Sequence, residues 1–264
     1  MKLGIIGLGN MGGAILGGIL KNGVLTAADI TGAEVNETRR NEMGEKFGIR
    51  VTGSGREAAD GADIVVLAVK PQVYEQAVGE LKDAVSKDCV VISIAPGKTV
   101  KWLTELFGRE LKLVRCMPNT PALVLEGCTG VCRNELVSDE EFAQVLKLLN
   151  SFGKAYEVEE KQMDAVVAVS GSSPAYVFML IEAMADAAVA EGLPRPKAYE
   201  FAAQAVLGSA RMVLETGKHP GELKDMVCSP AGTTIEAVQV LEERGLRAAV
   251  MEAMRVCAER SREL

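Results

Sequence analysis

The sequence contains one histidine and one tryptophan, and aromatic residues fill only 4% of its 264 positions. A single histidine, His219, excludes any metal centre built on several imidazoles, and a Ser-His-Asp triad would have to use that one residue. It stands beside Pro220 and Gly221 in what reads as a turn. The six cysteines (Cys89, Cys116, Cys128, Cys132, Cys228 and Cys257) form no C-x-x-C pair, and their apolar surroundings predict buried, reduced thiols. Unbroken apolar runs are short. Ile64–Val69 stops far below the roughly 20 residues of a membrane span, so no membrane association is expected. Basic excess is missing too: 29 Lys and Arg face 36 Asp and Glu, a net charge of −7 that offers no field to a nucleic acid. The opening Met1-Lys2-Leu3-Gly4 carries no extended apolar leader, and a reducing cytoplasm fits these absences.

Core-forming material is plentiful. Hydrophobic residues make up 48% of the chain and charged residues 25%, and the mean hydropathy is +0.15, so the chain is folded rather than disordered. A small molecule or another protein is the expected partner.

Lys2–Ile6 is a short apolar run that stops at a glycine cluster, and a helix-compatible stretch follows to Asn22-Gly23. Ile30–Ala33 predicts a second strand, and Val35–Phe47 a polar helix ended by Gly48. Asp63–Val69, Cys89–Ala95 and Leu111–Cys116 are apolar without alternation, the pattern of strands covered on both faces. Alternating strands and helices predict an α/β fold, an N-terminal Rossmann-type doubly wound sheet. Ser138 and Glu141 form a capping box, and Ala155–Val158 supplies a last edge strand. Beyond it the chain reads as helical, which places a boundary near residue 160: a nucleotide-binding domain over 1–160 and an all-helical domain over 161–264.

Ala175–Ala190 holds only two charges, Glu182 and Asp186. A helix apolar nearly all round must be buried nearly all round, and a domain of this size has little room for it, so a second subunit is expected to cover it. The final helix carries Leu246, Val250, Met254 and Cys257 on one stripe, read as an ordinary core face.

Gly7, Gly9 and Gly12 match G-x-G-x-x-G directly after a strand and at the opening of a helix. The first allows a tight turn, the second lets a pyrophosphate approach the backbone, and the third lets helix and strand pack closely. A dinucleotide is the expected cofactor. Glu34 lies 22 residues after Gly12, where an acid would bond a ribose 2′-hydroxyl, yet Arg39 and Arg40 stand ready for a 2′-phosphate. The residues leave NADP(H) and NAD(H) both open.

Ala68-Val69-Lys70-Pro71 and Cys116-Met117-Pro118-Asn119-Thr120-Pro121 close strands where an open sheet meets its ligand. Ser170–Tyr176 and Ser229–Thr234 read as small hydroxyl-rich loops at helix starts, suited to a carboxylate.

The ordered set G-L-G-N-M-G, A-V-K-P, M-P-N-T-P, S-G-S-S-P-A-Y and H-P-G-E-L-K-D…S-P-A-G-T-T resembles the pyrroline-5-carboxylate reductases across the chain. The resemblance implies the last step of proline biosynthesis: reduction of the cyclic imine 1-pyrroline-5-carboxylate to L-proline, with NADPH favoured. It implies that Ile6, Gly7, Leu8, Gly9, Asn10 and Met11 hold the pyrophosphate, that Ala68, Val69, Lys70 and Pro71 face the nicotinamide side, that Ala95 lies along the cofactor, and that Asn119 shapes the pocket. Amides of the loop containing Ser229, Gly232 and Thr233 would take the substrate carboxylate, and the Thr234 hydroxyl the ring nitrogen. It further implies interlocked homodimers through the helical domains, often assembled into decamers. Gly55, Pro96, Ser173 and Ala231 depart from the family pattern.

Two rival functions remain. A β-hydroxyacid dehydrogenase would need a lysine four residues after Gly171, where Ala175 stands. A non-catalytic nucleotide sensor would leave the hydroxyl-rich loops without a purpose.

Overall fold

The computed structural model describes residues 1–263. Its first part alternates strand and helix: β1 (Leu3–Ile6), α1 (Asn10–Lys21), β2 (Ile30–Ala33), α2 (Glu37–Phe47), β3 (Arg50–Thr52), α3 (Gly55–Ala59), β4 (Ile64–Leu67), α4 (Tyr74–Leu81), β5 (Val90–Ser93), α5 (Val100–Phe107), β6 (Lys112–Met117), β7 (Gly127–Arg133), α6 (Asp139–Leu149) and β8 (Gly153–Glu157). The strands form one sheet in the order β3-β2-β1-β4-β5-β6-β7-β8. Pairing is parallel from β3 through β6, and β7 turns antiparallel to β6. This is the doubly wound arrangement predicted from the apolar runs, with a switch point between β1 and β4.

Every residue of β1, β4 and β5 is buried, because helices cover both faces of the sheet. One core layer gathers Leu3, Ile5, Leu16 and Phe152, and the other Ile6, Val65, Tyr74 and Leu103. Local chemistry sets the element ends. The Ser138 side chain accepts from the Glu141 N–H to open α6, and Gly48 closes α2 in the left-handed conformation, with φ of 66°.

Two strands escaped the sequence reading. β3 is only three residues long, and β7 (G-C-T-G-V-C-R) mixes glycine, threonine and cysteine in place of an apolar run. The cysteines also divide: all six are free, but only Cys89, Cys116 and Cys132 are buried, while Cys128, Cys228 and Cys257 are half-buried.

The chain forms two compact units, one made of residues 1–172 with the segment from Cys257 onward, the other of residues 173–256. The first unit therefore extends past residue 160. It keeps α7 (Met163–Val166) and a π-helical turn over Val167–Gly171, whose Met163, Val167 and Ala168 are buried. This turn corrects one expectation. Ser170–Tyr176 is not a loop at a helix start but part of a continuous helical run: the Ser172 N–H donates to the Val167 carbonyl at 2.8 Å, and the Ser170 hydroxyl to the Val166 carbonyl at 3.0 Å.

The second unit contains α8 (Ser173–Ala190), α9 (Arg195–Thr216), α10 (Pro220–Val227), α11 (Thr233–Glu243) and most of α12 (Leu246–Arg262). His219 caps α10, its Nδ1 accepting from the Gly221 N–H at 3.0 Å. Ala185 is the one buried residue among the eighteen of α8. Phe178, Met179, Phe201 and Leu214 are all more than half exposed. The α12 stripe is not a core face of this chain either: Leu246 and Val250 are 42% and 45% exposed. Among the described residues, one helical run, 160–190, is long and apolar enough to cross a membrane by length and composition. Counting unbroken apolar runs missed it, because its few charges interrupt a stretch that remains apolar on average.

Candidate nucleotide cleft and substrate loop

The β1–α1 turn is shaped for an anion. Gly7 takes φ of +94°, a conformation that L side chains rarely adopt, and its N–H donates to the Ala33 carbonyl at 2.9 Å. A Cβ on Gly12 would lie 2.1 Å from the Gly7 carbonyl oxygen, so strand and helix meet there only through glycine. A Cβ on Gly9 would meet nothing within 4 Å: the space above it is open. α1 has no side-chain cap and no acidic residue in its first turn. Its leading N–H groups and dipole are thus available to a pyrophosphate, and the residues fit a dinucleotide.

Beside this turn lies a cleft of about 540 Å³. The predicted residues Ile6, Gly7, Gly9, Glu34, Ala68, Val69 and Lys70 line it, together with Gly55. Leu8 points into the core, Asn10 is exposed, Met11 is half-buried and Gly12 is buried against the strand. Pro71 begins the turn that leads into α4, and Ala95 is buried just past β5; neither lines the cleft. Arg39 and Asn10 face a separate groove of about 690 Å³ on the other flank of α1.

Sequence reasoning missed one wall of the cleft. Val73, Gln76, Ala77 and Glu80 of the α4 region line it, while Tyr74, Val78 and Leu81 are buried in the core. The i, i+3, i+4, i+7 spacing of the first set was visible but reads as an ordinary solvated face.

The end of β2 is crowded with charge. Glu34 accepts from the Leu8 N–H at 3.2 Å and from the Asn36 N–H at 3.1 Å. Arg39 donates through Nε to the Leu8 carbonyl at 2.7 Å, and Arg40 to the carbonyls of Glu34 and Val35 at 3.0 and 2.9 Å. One carboxylate and two guanidiniums therefore meet at the end of β2, Glu34 on the cleft side and Arg39 on the groove side.

Asn119 is buried, and both ends of its carboxamide are engaged within the first unit. Oδ1 accepts from the Cys128 N–H at 2.8 Å, and Nδ2 donates to the Ser170 carbonyl at 3.0 Å. Pro174, four residues on, has no N–H to give that carbonyl, so Asn119 supplies the missing donor. Its side chain thereby fixes the π-helical turn.

In the second unit, the loop before α11 has the form of an anion grip. Ala231 sits at φ of +55°, a left-handed conformation that costs a non-glycine residue roughly 1 kcal/mol. The departure from glycine at this position is therefore strained. A Cβ on Gly232 would lie 2.3 Å from Ser229 Oγ, so the hydroxyl is tucked against bare backbone. Gly232 caps α11 without a side-chain bond. Among the described residues, the hydroxyls of Ser229, Thr233 and Thr234 make no hydrogen bond, which leaves them and the leading amides of α11 free for a ligand.

Known proteins match both parts of the chain. Residues 160–264 match the family described as pyrroline-5-carboxylate reductase dimerisation, and residues 2–97 the family described as NADP oxidoreductase, coenzyme F420-dependent. Pyrroline-5-carboxylate reductase of Escherichia coli K12 is 53% identical over 263 residues, covering 100% of this chain and 98% of the relative. The solved structure of a pyrroline-5-carboxylate reductase from Coxiella burnetii superposes with a TM-score of 0.93 at 36% identity, covering 99% and 97% of the two chains. That of Plasmodium falciparum pyrroline carboxylate reductase with NADP bound gives 0.90 at 34%, covering 100% and 97%. With its glycine turn, nucleotide cleft and hydroxyl-rich loop in the order described, the chain belongs to the pyrroline-5-carboxylate reductase family.

Proposed function

We propose that this protein reduces 1-pyrroline-5-carboxylate to L-proline with NAD(P)H, the last step of proline biosynthesis. Full-length identity of 53% to an enzyme of that name carries the reading. The NADP bound in the Plasmodium relative, and the two arginines at the end of β2, favour NADPH.

Bound nicotinamide supplies a hydride to the imine carbon. The residues named here orient and bind. Amides at the start of α11, around Ser229, Gly232 and Thr233, take the carboxylate, and the Thr234 hydroxyl bonds the ring nitrogen. A protonated iminium is already electrophilic, so the nitrogen keeps its proton and the ring carbon gains the hydride, with no imidazole needed to polarise the bond. Ile6–Met11 and Ala68–Lys70 take the pyrophosphate and the flank of the cleft. Ala95 and Asn119 contribute by shaping backbone rather than by contact.

A functional boundary near residue 160 is supported by the start of the dimerisation-family match. We read the exposed apolar faces of α8, α9 and α12 as covered by a second copy rather than by lipid, and a decamer as the larger assembly. Free cysteines and a net charge of −7 support a reducing cytoplasm and no nucleic-acid partner.

The test is oxidation of NADPH by 1-pyrroline-5-carboxylate with recovery of proline. Turnover of a β-hydroxyacid instead would make the chain a dehydrogenase of that type. Tight NADPH binding without turnover of either would make it a sensor.

A further inference from the structure

Tyr74 is the one tyrosine of the four with no solvent exposure, and nothing in the chemistry above uses it. Its ring packs in the core beside Trp102, with the centroids 6.1 Å apart. Its hydroxyl reaches the point where β4 and β5 part. Oη donates to the Leu67 carbonyl at 2.9 Å, and Ser93 Oγ lies 3.0 Å away. Ser93 Oγ in turn accepts from the Ala95 N–H at 3.5 Å. Burial pushes the phenol up to about 12, so it remains a donor at any physiological pH.

The surrounding ladder explains what the hydroxyl does. On the β1 side, β4 stays tightly paired past its end, the Ala68 N–H donating to the Ile6 carbonyl at 2.8 Å. On the β5 side, the equivalent bond from the Ile94 N–H to the Leu67 carbonyl has stretched to 3.4 Å. Splayed strand ends with loosened backbone groups need another partner. The Tyr74 hydroxyl is that partner for the Leu67 carbonyl, and it reaches the end of β5 through Ser93 Oγ. Leu67 is followed directly by Ala68, Val69 and Lys70 on the cleft wall, and Tyr74 belongs to α4, whose opposite face lines the same cleft.

We propose that Tyr74 is a positioning residue for the cofactor: its hydroxyl, wedged between Leu67 and Ser93, holds the β4 end and α4 at the separation that admits a dinucleotide. This rests on reading the cleft as the cofactor's.

Binding of NADPH and of adenosine 2′,5′-bisphosphate to Y74F, S93A and the double variant, measured by titration calorimetry, tests it. In Y74F the ring still fills its place while the wedge is lost, so both dissociation constants should rise about five- to tenfold, with kcat at saturating NADPH within about twofold of wild type. S93A should weaken binding in the same direction, and the double variant should be no worse than the poorer single, because all remove one shared node. Unchanged affinities in both single variants, or losses that add in the double, would overturn the proposal. So would a lowered thermal midpoint without a change in affinity, which leaves Tyr74 a core residue only. S93A keeps the test decisive if Y74F does not fold. Failure of the wild-type protein to bind NADPH would instead sink the cofactor reading itself.

Discussion

Glu34 and Arg39 hold Leu8 from opposite sides, the carboxylate on its N–H at 3.2 Å and the guanidinium on its carbonyl at 2.7 Å. The glycine turn is thus braced by two side chains of opposite charge, Glu34 on the cleft side and Arg39 on the groove side. In the proposed NADPH complex their effects on a 2′-phosphate would oppose each other. Glu34→Ser should remove the repulsion and raise the ratio of kcat/KM for NADPH over NADH by about tenfold, a value typical of one close like-charge contact. Steady-state kinetics with both cofactors measures it. An unaltered ratio means that Glu34 does not face the ribose.

Gly9 and Gly12 should separate binding from folding. A side chain on Gly9 enters open space, whereas a Cβ on Gly12 would lie 2.1 Å from the Gly7 carbonyl oxygen. Gly9→Val should abolish NADPH binding by calorimetry while leaving the thermal midpoint within a few degrees of wild type. Gly12→Ala should lower the midpoint first, by a backbone clash.

In the proposed mechanism Thr234 lies closest to the chemistry. A hydrogen bond to nitrogen should strengthen as electron density arrives there, so Thr234→Ala should lower kcat and kcat/KM together, by roughly tenfold to a thousandfold. Thr234→Ser should retain most activity, and Thr233→Ala should lose little. A rise in KM alone would reduce Thr234 to substrate binding. Equal losses at both positions would assign the effect to the loop.

Exposed Phe178 and Met179 on α8 predict a partner helix. Light scattering at micromolar concentration should give at least a dimer, and Phe178→Arg should shift it toward monomer. A well-folded wild-type monomer across that range would contradict the covered face.

Alkaline pH should destabilise the fold. Burial raises the thiols of Cys89 to about 12 and Cys132 to about 11 from an ordinary 9.0, and the Tyr74 phenol to about 12 from 10.0. The folded chain therefore holds protons that the unfolded chain releases. Stability from these groups is complete below about pH 9 and is lost as pH rises toward 12. The urea midpoint should fall steadily from pH 9 to 11, and Y74F should flatten the upper part of that fall. A midpoint flat over the range would contradict it.

What could be read from the sequence was local. The glycine turn, the three apolar strand runs and the Ser138–Glu141 cap each depend on residues within a few positions of one another. What escaped depends on distant partners. β7 is a strand because β6 and β8 flank it, despite its glycines. Asn119 has its role because Pro174 leaves a carbonyl without a donor, 51 residues along the chain from Asn119 to Ser170. The α12 stripe has helical spacing, but spacing alone does not say whose surface it meets.

The last turns of α12 return to where the helical unit begins. Cys257 Sγ lies 3.2 Å from Ser172 Oγ, and Ser261 Oγ donates to Asp164 at 2.7 Å. The residues that flank the second unit in the chain, Ser172 and Cys257, are therefore neighbours within the first. The intervening 84 residues, Ser173–Val256, are thus an inserted cassette rather than a trailing half. A graft that replaced Ser173–Val256 would leave every strand of the sheet uncut.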